Sequence, residues 1–149
     1  MYRLGILLML VVIAGCSKKD SDPPQPRAFS FNSHSVDGES DPSFTYEAVS
    51  LQPVITFSFS DKVKESSVTS GIVMKENGST DVPYTFTLED DNTTVVLSPS
   101  ARLKGFTHYG ISLSNGIVSE ADQELSLPLS VSMTTGMDST DKFPRISDD

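Results

Sequence analysis

The chain has 149 residues, and 20 Asp and Glu against 11 Lys and Arg give it a net charge of −9. That acidity argues against nucleic acid as a partner, because phosphate recognition needs a basic patch. A single cysteine excludes an intramolecular disulfide, and the lack of tryptophan leaves only Phe and Tyr for any sugar-stacking platform.

The first element is an apolar run from Leu4 to Ala14, preceded by Arg3. It is roughly half the ~20 residues a spanning helix needs. A positive start, a short apolar stretch and small residues at its end have the form of an export signal over residues 1–15. The run closes on Ile13-Ala14-Gly15-Cys16, which contains the only cysteine. This quartet resembles the lipobox of bacterial lipoproteins. In that family the cysteine thiol takes a diacylglycerol, the signal is cut just before it, and the new amine is acylated. A thiol is a strong nucleophile for alkylation, and several acyl chains on one residue hold firmly where one holds weakly. The resemblance therefore implies a membrane partner through lipid at Cys16. The competing reading is a plain secretory signal with a stray cysteine.

Residues 16–28 follow as a tether. Ser17-Lys18-Lys19-Asp20-Ser21-Asp22-Pro23-Pro24-Gln25-Pro26-Arg27-Ala28 has the composition of a solvated, partly stiff linker. Acidic residues soon after the acylated cysteine, here Asp20 and Asp22, resemble the signal that some glycan-degrading Gram-negative bacteria use to send lipoproteins to the outer face. The implied location is the outer membrane, exposed at the cell surface.

From Phe29 to Thr135 the pattern is alternation. Phe29 and Phe31 begin it; Ile55, Phe57 and Phe59 continue it; Tyr84, Phe86 and Leu88, then Val95 and Leu97, then Tyr109, Ile111 and Leu113 repeat it. Leu125, Leu127, Leu129, Val131 and Met133 all fall on odd positions. A period of two puts each set on one face of a strand. Turn residues separate the runs at Asp61-Lys62, Asn77-Gly78, Asp90-Asp91-Asn92, Asn115-Gly116 and Asp122-Gln123. The one helical stretch is a single turn from Lys64 to Ser70, capped by Ser or Thr. The expected fold is all-β: an immunoglobulin-like antiparallel sandwich of about seven strands over residues 29–135. Residues 136–149 turn polar and read as a linker.

Leu103 stands six positions before Tyr109 in LKGFTHYGISL, which looks like the tyrosine corner of Ig-like sandwiches. There the leucine enters the core and the hydroxyl returns to backbone near the turn. Deleting that hydroxyl is expected to strand a buried acceptor, at about 1–3 kcal/mol. PVITFSFSDKV, TTVVLSPS, the tyrosine strand and a closing Met133-Thr134-Thr135 occur in that order. Together they resemble the bacterial Ig-like domain of the S-layer-protein (SbsA) type. The Asp122-Gln123 turn lacks the glycine often found there. These motifs are structural and speak for fold rather than function.

Catalytic signals are missing. No GxSxG, HExxH, GxGxxG or P-loop pattern occurs. His34 and His108 read as solvated, and neither has a second ligand at metal spacing. Carboxylates gather at Asp37, Glu39 and Asp41, at Glu89, Asp90 and Asp91, and at Glu120, Asp122 and Glu124. Such groups serve glycoside hydrolysis or calcium in other settings, but in turns they read as solvated acids. Phe44, Tyr46 and Phe106 are the candidate exceptions to the inward pattern, and they read as covers for a sheet edge or the end of the sandwich. Asp138-Ser139-Thr140 resembles an O-glycosylation site of some outer-membrane bacteria, with Ser139 as acceptor. DKFPRISDD resembles the segment before the catalytic part of glucoamylase-like lipoproteins. The expectation is a non-enzymatic, cofactor-free, metal-free spacer or interaction module. Its expected partner is another protein or a downstream catalytic domain, with a glycan-binding module for polysaccharide as the alternative.

Overall fold

The computed structural model describes residues 28–137. The expected signal peptide, Cys16, the expected tether up to residue 27, and Ser139 with the rest of the segment after Met137 lie outside the described residues. Nine strands and one short helix make two facing sheets. In order they are β1 (Phe31–Val36), β2 (Thr45–Val49), β3 (Ile55–Phe59), α1 (Glu65–Gly71), β4 (Ile72–Glu76), β5 (Thr80–Asp81), β6 (Tyr84–Glu89), β7 (Thr94–Pro99), β8 (His108–Leu113) and β9 (Leu129–Thr135). One sheet runs β1-β3-β7-β6 and the other β2-β9-β8-β4-β5.

The alternation explains the core. Ile55, Phe57 and Phe59 from β3, with Val95 and Leu97 from β7, face Met74, Tyr109, Ile111, Leu113, Val131 and Met133 from the other sheet. Thr56, Ser58, Ser112, Ser130 and Ser132 alternate with them and take the outer faces. Burying one such side chain contributes about 1.5–3 kcal/mol, so the interior carries the stability that no disulfide supplies. Tyr84 on the edge strand β6 donates its hydroxyl across the sandwich to Ile72 O at 2.8 Å, tying the two sheets together.

The structure builds the expected all-β immunoglobulin-like sandwich, and four details of it differ. Nine strands replace about seven, because β2 and the two-residue β5 carry no alternation to read. The sandwich is not purely antiparallel, since β2 pairs with β9 in parallel. The odd-numbered run from Leu125 to Met133 is not one strand. Pro128 has no N–H to give a ladder, Ser126 N–H is taken by Phe29 O at 3.0 Å, and Leu127 points outward at 75% exposure while Leu125 is buried. Lastly, α1 has no Ser or Thr cap: Lys64 occupies that position without a side-chain bond. Ser67 instead donates to Lys64 O at 2.7 Å and accepts from Val118 N–H at 3.2 Å.

The two ends of the domain lie at opposite poles. The chain arrives at Phe29, whose carbonyl meets Ser126 N–H just before β9 begins. It leaves at Gly136, whose N–H bonds Val49 O at 2.8 Å just after β9 ends. The seven residues of β9 therefore separate a near pole from a far pole by roughly 20 Å.

Candidate functional site

The β7–β8 crossover is fixed by Leu103 and Tyr109. Leu103 is buried and its N–H bonds Leu51 O at 2.8 Å. Tyr109, 1% exposed, accepts at its hydroxyl oxygen the N–H of Lys104 at 3.0 Å. The backbone group that depends on this hydroxyl is thus a donor, not the acceptor expected from sequence.

The crossover from β1 to β2, residues 37–44, holds a second device of the same kind. Tyr46 Oη accepts the N–H of Asp41 at 3.1 Å. Tyr46 and Tyr109 both sit in register with Met133 of β9, one from each side. Beside Tyr46, the His34 ring stacks on Phe44 at 4.2 Å and 11° and meets Tyr46 edge-on at 5.7 Å. Phe31 packs on both His34 and Phe44. His34 is buried rather than solvated, and its Nε2 has no hydrogen-bond partner. Burial pushes its pKa down, against a smaller upward pull from Asp41. His108 is exposed and its Nε2 lies 2.8 Å from Ser132 Oγ.

The carboxylates do not converge. Asp37 accepts the N–H groups of Val54 at 2.9 Å and Ser50 at 3.4 Å, which closes the β2–β3 loop. Asp90, Asp91 and Asn92 all have positive φ, forming the tight β6–β7 turn that those residue types tolerate. Asp90 takes the Thr94 hydroxyl at 2.9 Å. Asp91 pairs with Lys62 at 2.7 Å and Asp122 with Lys64 at 2.5 Å, both exposed at the near pole; the Asp91 contact holds the Lys62 ammonium above its ordinary pKa. Among the described residues no group of three or more His, Cys, Asp or Glu is placed to hold a metal ion. No described helix is long and apolar enough to cross a membrane.

Of the three aromatics set apart in the sequence, Tyr46 is buried, Phe44 is half-buried over His34, and Phe106 is 70% exposed. The His34–Phe44–Tyr46 cluster was not readable as a unit. Its only sequence signal is the Asp41-Pro42-Ser43 turn placed between the two aromatic stretches.

With this geometry in view, comparison with known proteins is informative about fold. The pattern that defines the bacterial Ig-like domain matches residues 36–135. Native alpha-2-macroglobulin from Escherichia coli, spanning domains MG0-NIE-MG1, superposes with a TM-score of 0.53 at 12% identity, over 74% of this chain and 33% of that one. The N-terminal part of the bacterial S-layer protein SbsC gives 0.49 at 12% identity, over 73% and 24%. PcoC, a methionine rich copper resistance protein from Escherichia coli, gives 0.46 at 16% identity, over 72% and 98%. The chain spans only 14% of SbsC domains 1-6 and 6% of the whole E. coli macroglobulin. No curated protein sequence matches the chain.

Proposed function

Because this chain belongs to the bacterial Ig-like domain family, we propose that it is a non-catalytic, lipid-anchored spacer and interaction module of the bacterial envelope. In this reading residues 1–15 are the export signal, Cys16 carries the lipid, residues 16–28 are the tether, 29–135 are the sandwich, and 136–149 lead to what the module presents. The observation that carries the reading is the placement of the two domain ends at opposite poles, roughly 20 Å apart along β9. A domain that took in and released its chain at one pole would hang beside its anchor. This one sets a fixed length between the membrane side and whatever follows. Location at the outer face of the outer membrane, O-glycosylation at Ser139, and service as the front module of a glycan-degrading enzyme belong to the same proposal.

Glycan capture receives less support. It calls for a pair of exposed aromatic rings on one sheet face, and Phe106, the one strongly exposed aromatic among the described residues, sits on a turn.

The test is detergent-phase partition of the full chain made in a Gram-negative host. Wild type is expected in the detergent phase and Cys16→Ser in the aqueous phase, and proteases added to intact cells should remove the domain. Wild type in the aqueous phase would overturn the anchor. Turnover of glucan oligosaccharides by purified residues 17–149 would overturn the non-catalytic assignment.

A further inference from the structure

Each sheet ends in two edge strands, and three of the four are blunted. β1 shifts register against its neighbour between Phe31 and Ser33, β2 does so between Tyr46 and Val49, and β5 is two residues long. Bulges and short length keep an edge from pairing with another chain. β6 has neither. Its six residues, Tyr84-Thr85-Phe86-Thr87-Leu88-Glu89, hold one register along β7 without a shift and contain no Lys or Pro.

The ladder fixes which backbone groups of β6 are free. Phe59 N–H bonds Thr93 O at 2.9 Å, so Thr93, Val95 and Leu97 bond toward β3. Successive residues of a strand bond to alternate sides, which leaves Thr94, Val96 and Ser98 for β6. Ser100 N–H accordingly bonds Pro83 O at 2.9 Å. The β6 residues opposite Thr94, Val96 and Ser98 are Glu89, Thr87 and Thr85. Tyr84, Phe86 and Leu88 therefore turn their N–H and C=O groups away from β7, and no strand among the described residues receives them. Their side chains pack toward the core but stay half-buried, whereas Thr85, Thr87 and Glu89 are exposed.

This edge is complementary to itself. A two-fold axis through Phe86 sets Phe86 opposite the second copy's Phe86, Tyr84 opposite its Leu88, and Thr85 opposite its Thr87. In that register every free N–H and C=O of Tyr84, Phe86 and Leu88 gains a partner, ring meets ring and Thr meets Thr. The one charge on the strand, Glu89, falls opposite Pro83, so two chains of net charge −9 meet here without facing acids. We propose that β6 pairs antiparallel with β6 of a second copy about Phe86, joining two four-stranded sheets into one and closing a symmetric dimer. The near pole of each copy then lies beside the far pole of the other. That offset of roughly 20 Å is shorter than the ~40 Å that residues 16–28 span when extended, so two copies can share one membrane. The dimer goes beyond the spacer reading and stands without the lipid anchor.

Sedimentation equilibrium of the full chain carrying Cys16→Ser tests it. The parent is expected to show a monomer–dimer equilibrium below about 1 mM. Thr85→Lys/Thr87→Lys changes only exposed side chains and sets like charges opposite each other at two places, which should raise the dissociation constant about tenfold or more. It also makes the chain less acidic, so general repulsion between copies would change in the opposite direction. Thr85→Lys/Thr87→Glu sets Lys opposite Glu at both places and should restore the parent constant to within about threefold; a register shifted by two residues would set like charges together instead. Amide exchange of the parent gives a readout free of substitutions. Phe86 and Leu88 N–H should exchange more slowly as protein concentration rises, while Thr87 N–H, already bonded to β7, is slow throughout. A parent that stays monomeric at about 1 mM would overturn the proposal and leave the edge to a strand of a different protein. Association that the Lys/Lys variant leaves intact, that the Lys/Glu variant fails to restore, or that runs on beyond the dimer would overturn it as well.

Discussion

Tyr46 and Tyr109 do the same local job in different surroundings. Each hydroxyl accepts a backbone N–H from the residue five positions earlier, Asp41 at 3.1 Å and Lys104 at 3.0 Å. Each lies in register with Met133. Around Tyr109 the clasp is aliphatic and closed: Leu103 is buried and β8 is paired on both sides. Around Tyr46 it is aromatic and open: His34 and Phe44 stack there, and β2 is an edge strand interrupted between Tyr46 and Val49, with Ala48 at φ +54°. A crossover that joins an inner strand of one sheet to an inner strand of the other can be locked by one core leucine. One that joins two sheet edges, in parallel register, needs a cluster of rings to cover it.

The largest expected effect breaks the closed clasp. Leu103→Ala should destabilise the domain by about 2–5 kcal/mol in chemical denaturation. Phe44→Ala, at a half-buried site, should cost less than Leu103→Ala in the same measurement, and the reverse order would mean the open clasp carries the fold. Next, Tyr109→Phe leaves Lys104 N–H unpaired and should cost about 1–3 kcal/mol, with Tyr46→Phe at the low end of that range.

His34 gives a pH signature that only the open clasp has. Its folded pKa lies below its ordinary value of about 6.5, so below that value the unfolded chain binds more protons. Stability is complete above pH ~6.5 and falls as the pH drops through it, levelling once the folded imidazole also titrates. Asp41 faces the ring and opposes the shift; Phe31, Phe44 and Tyr46 supply the burial. His34→Leu should flatten this part of the profile while Tyr109→Phe leaves its shape intact. The smallest effect belongs to Leu127→Ser, which should change stability by no more than about 0.5 kcal/mol, since the side chain is 75% exposed.

These two regions also mark how far the sequence could be read. Central strands announce themselves when both neighbours bury one face: Ile55-Thr56-Phe57-Ser58-Phe59 and His108–Leu113 alternate cleanly, and the structure builds β3 and β8 there. Turns with several Asp and Asn did the same, because Asn77, Asp90, Asp91, Asn92 and Asp122 all adopt positive φ. Edge elements escape such reading. In Thr45–Val49 only Tyr46 and Val49 are buried, a spacing of three imposed by the bulge. The burial of His34 comes from a ring contributed by Phe44 ten residues later, which no local pattern encodes. Leu127 failed for the opposite reason: the alternation begins in sequence before Pro128, whereas the ladder starts only after it, at Leu129.

The central claim is that the sandwich holds its two chain ends apart. Spin labels on cysteines placed at Ala28 and Met137, in a Cys16→Ser background, measure that separation by pulsed electron resonance. The account predicts one narrow distribution at or beyond ~20 Å, the rise of β9. A dominant population at half that distance would put both ends at one pole and contradict it.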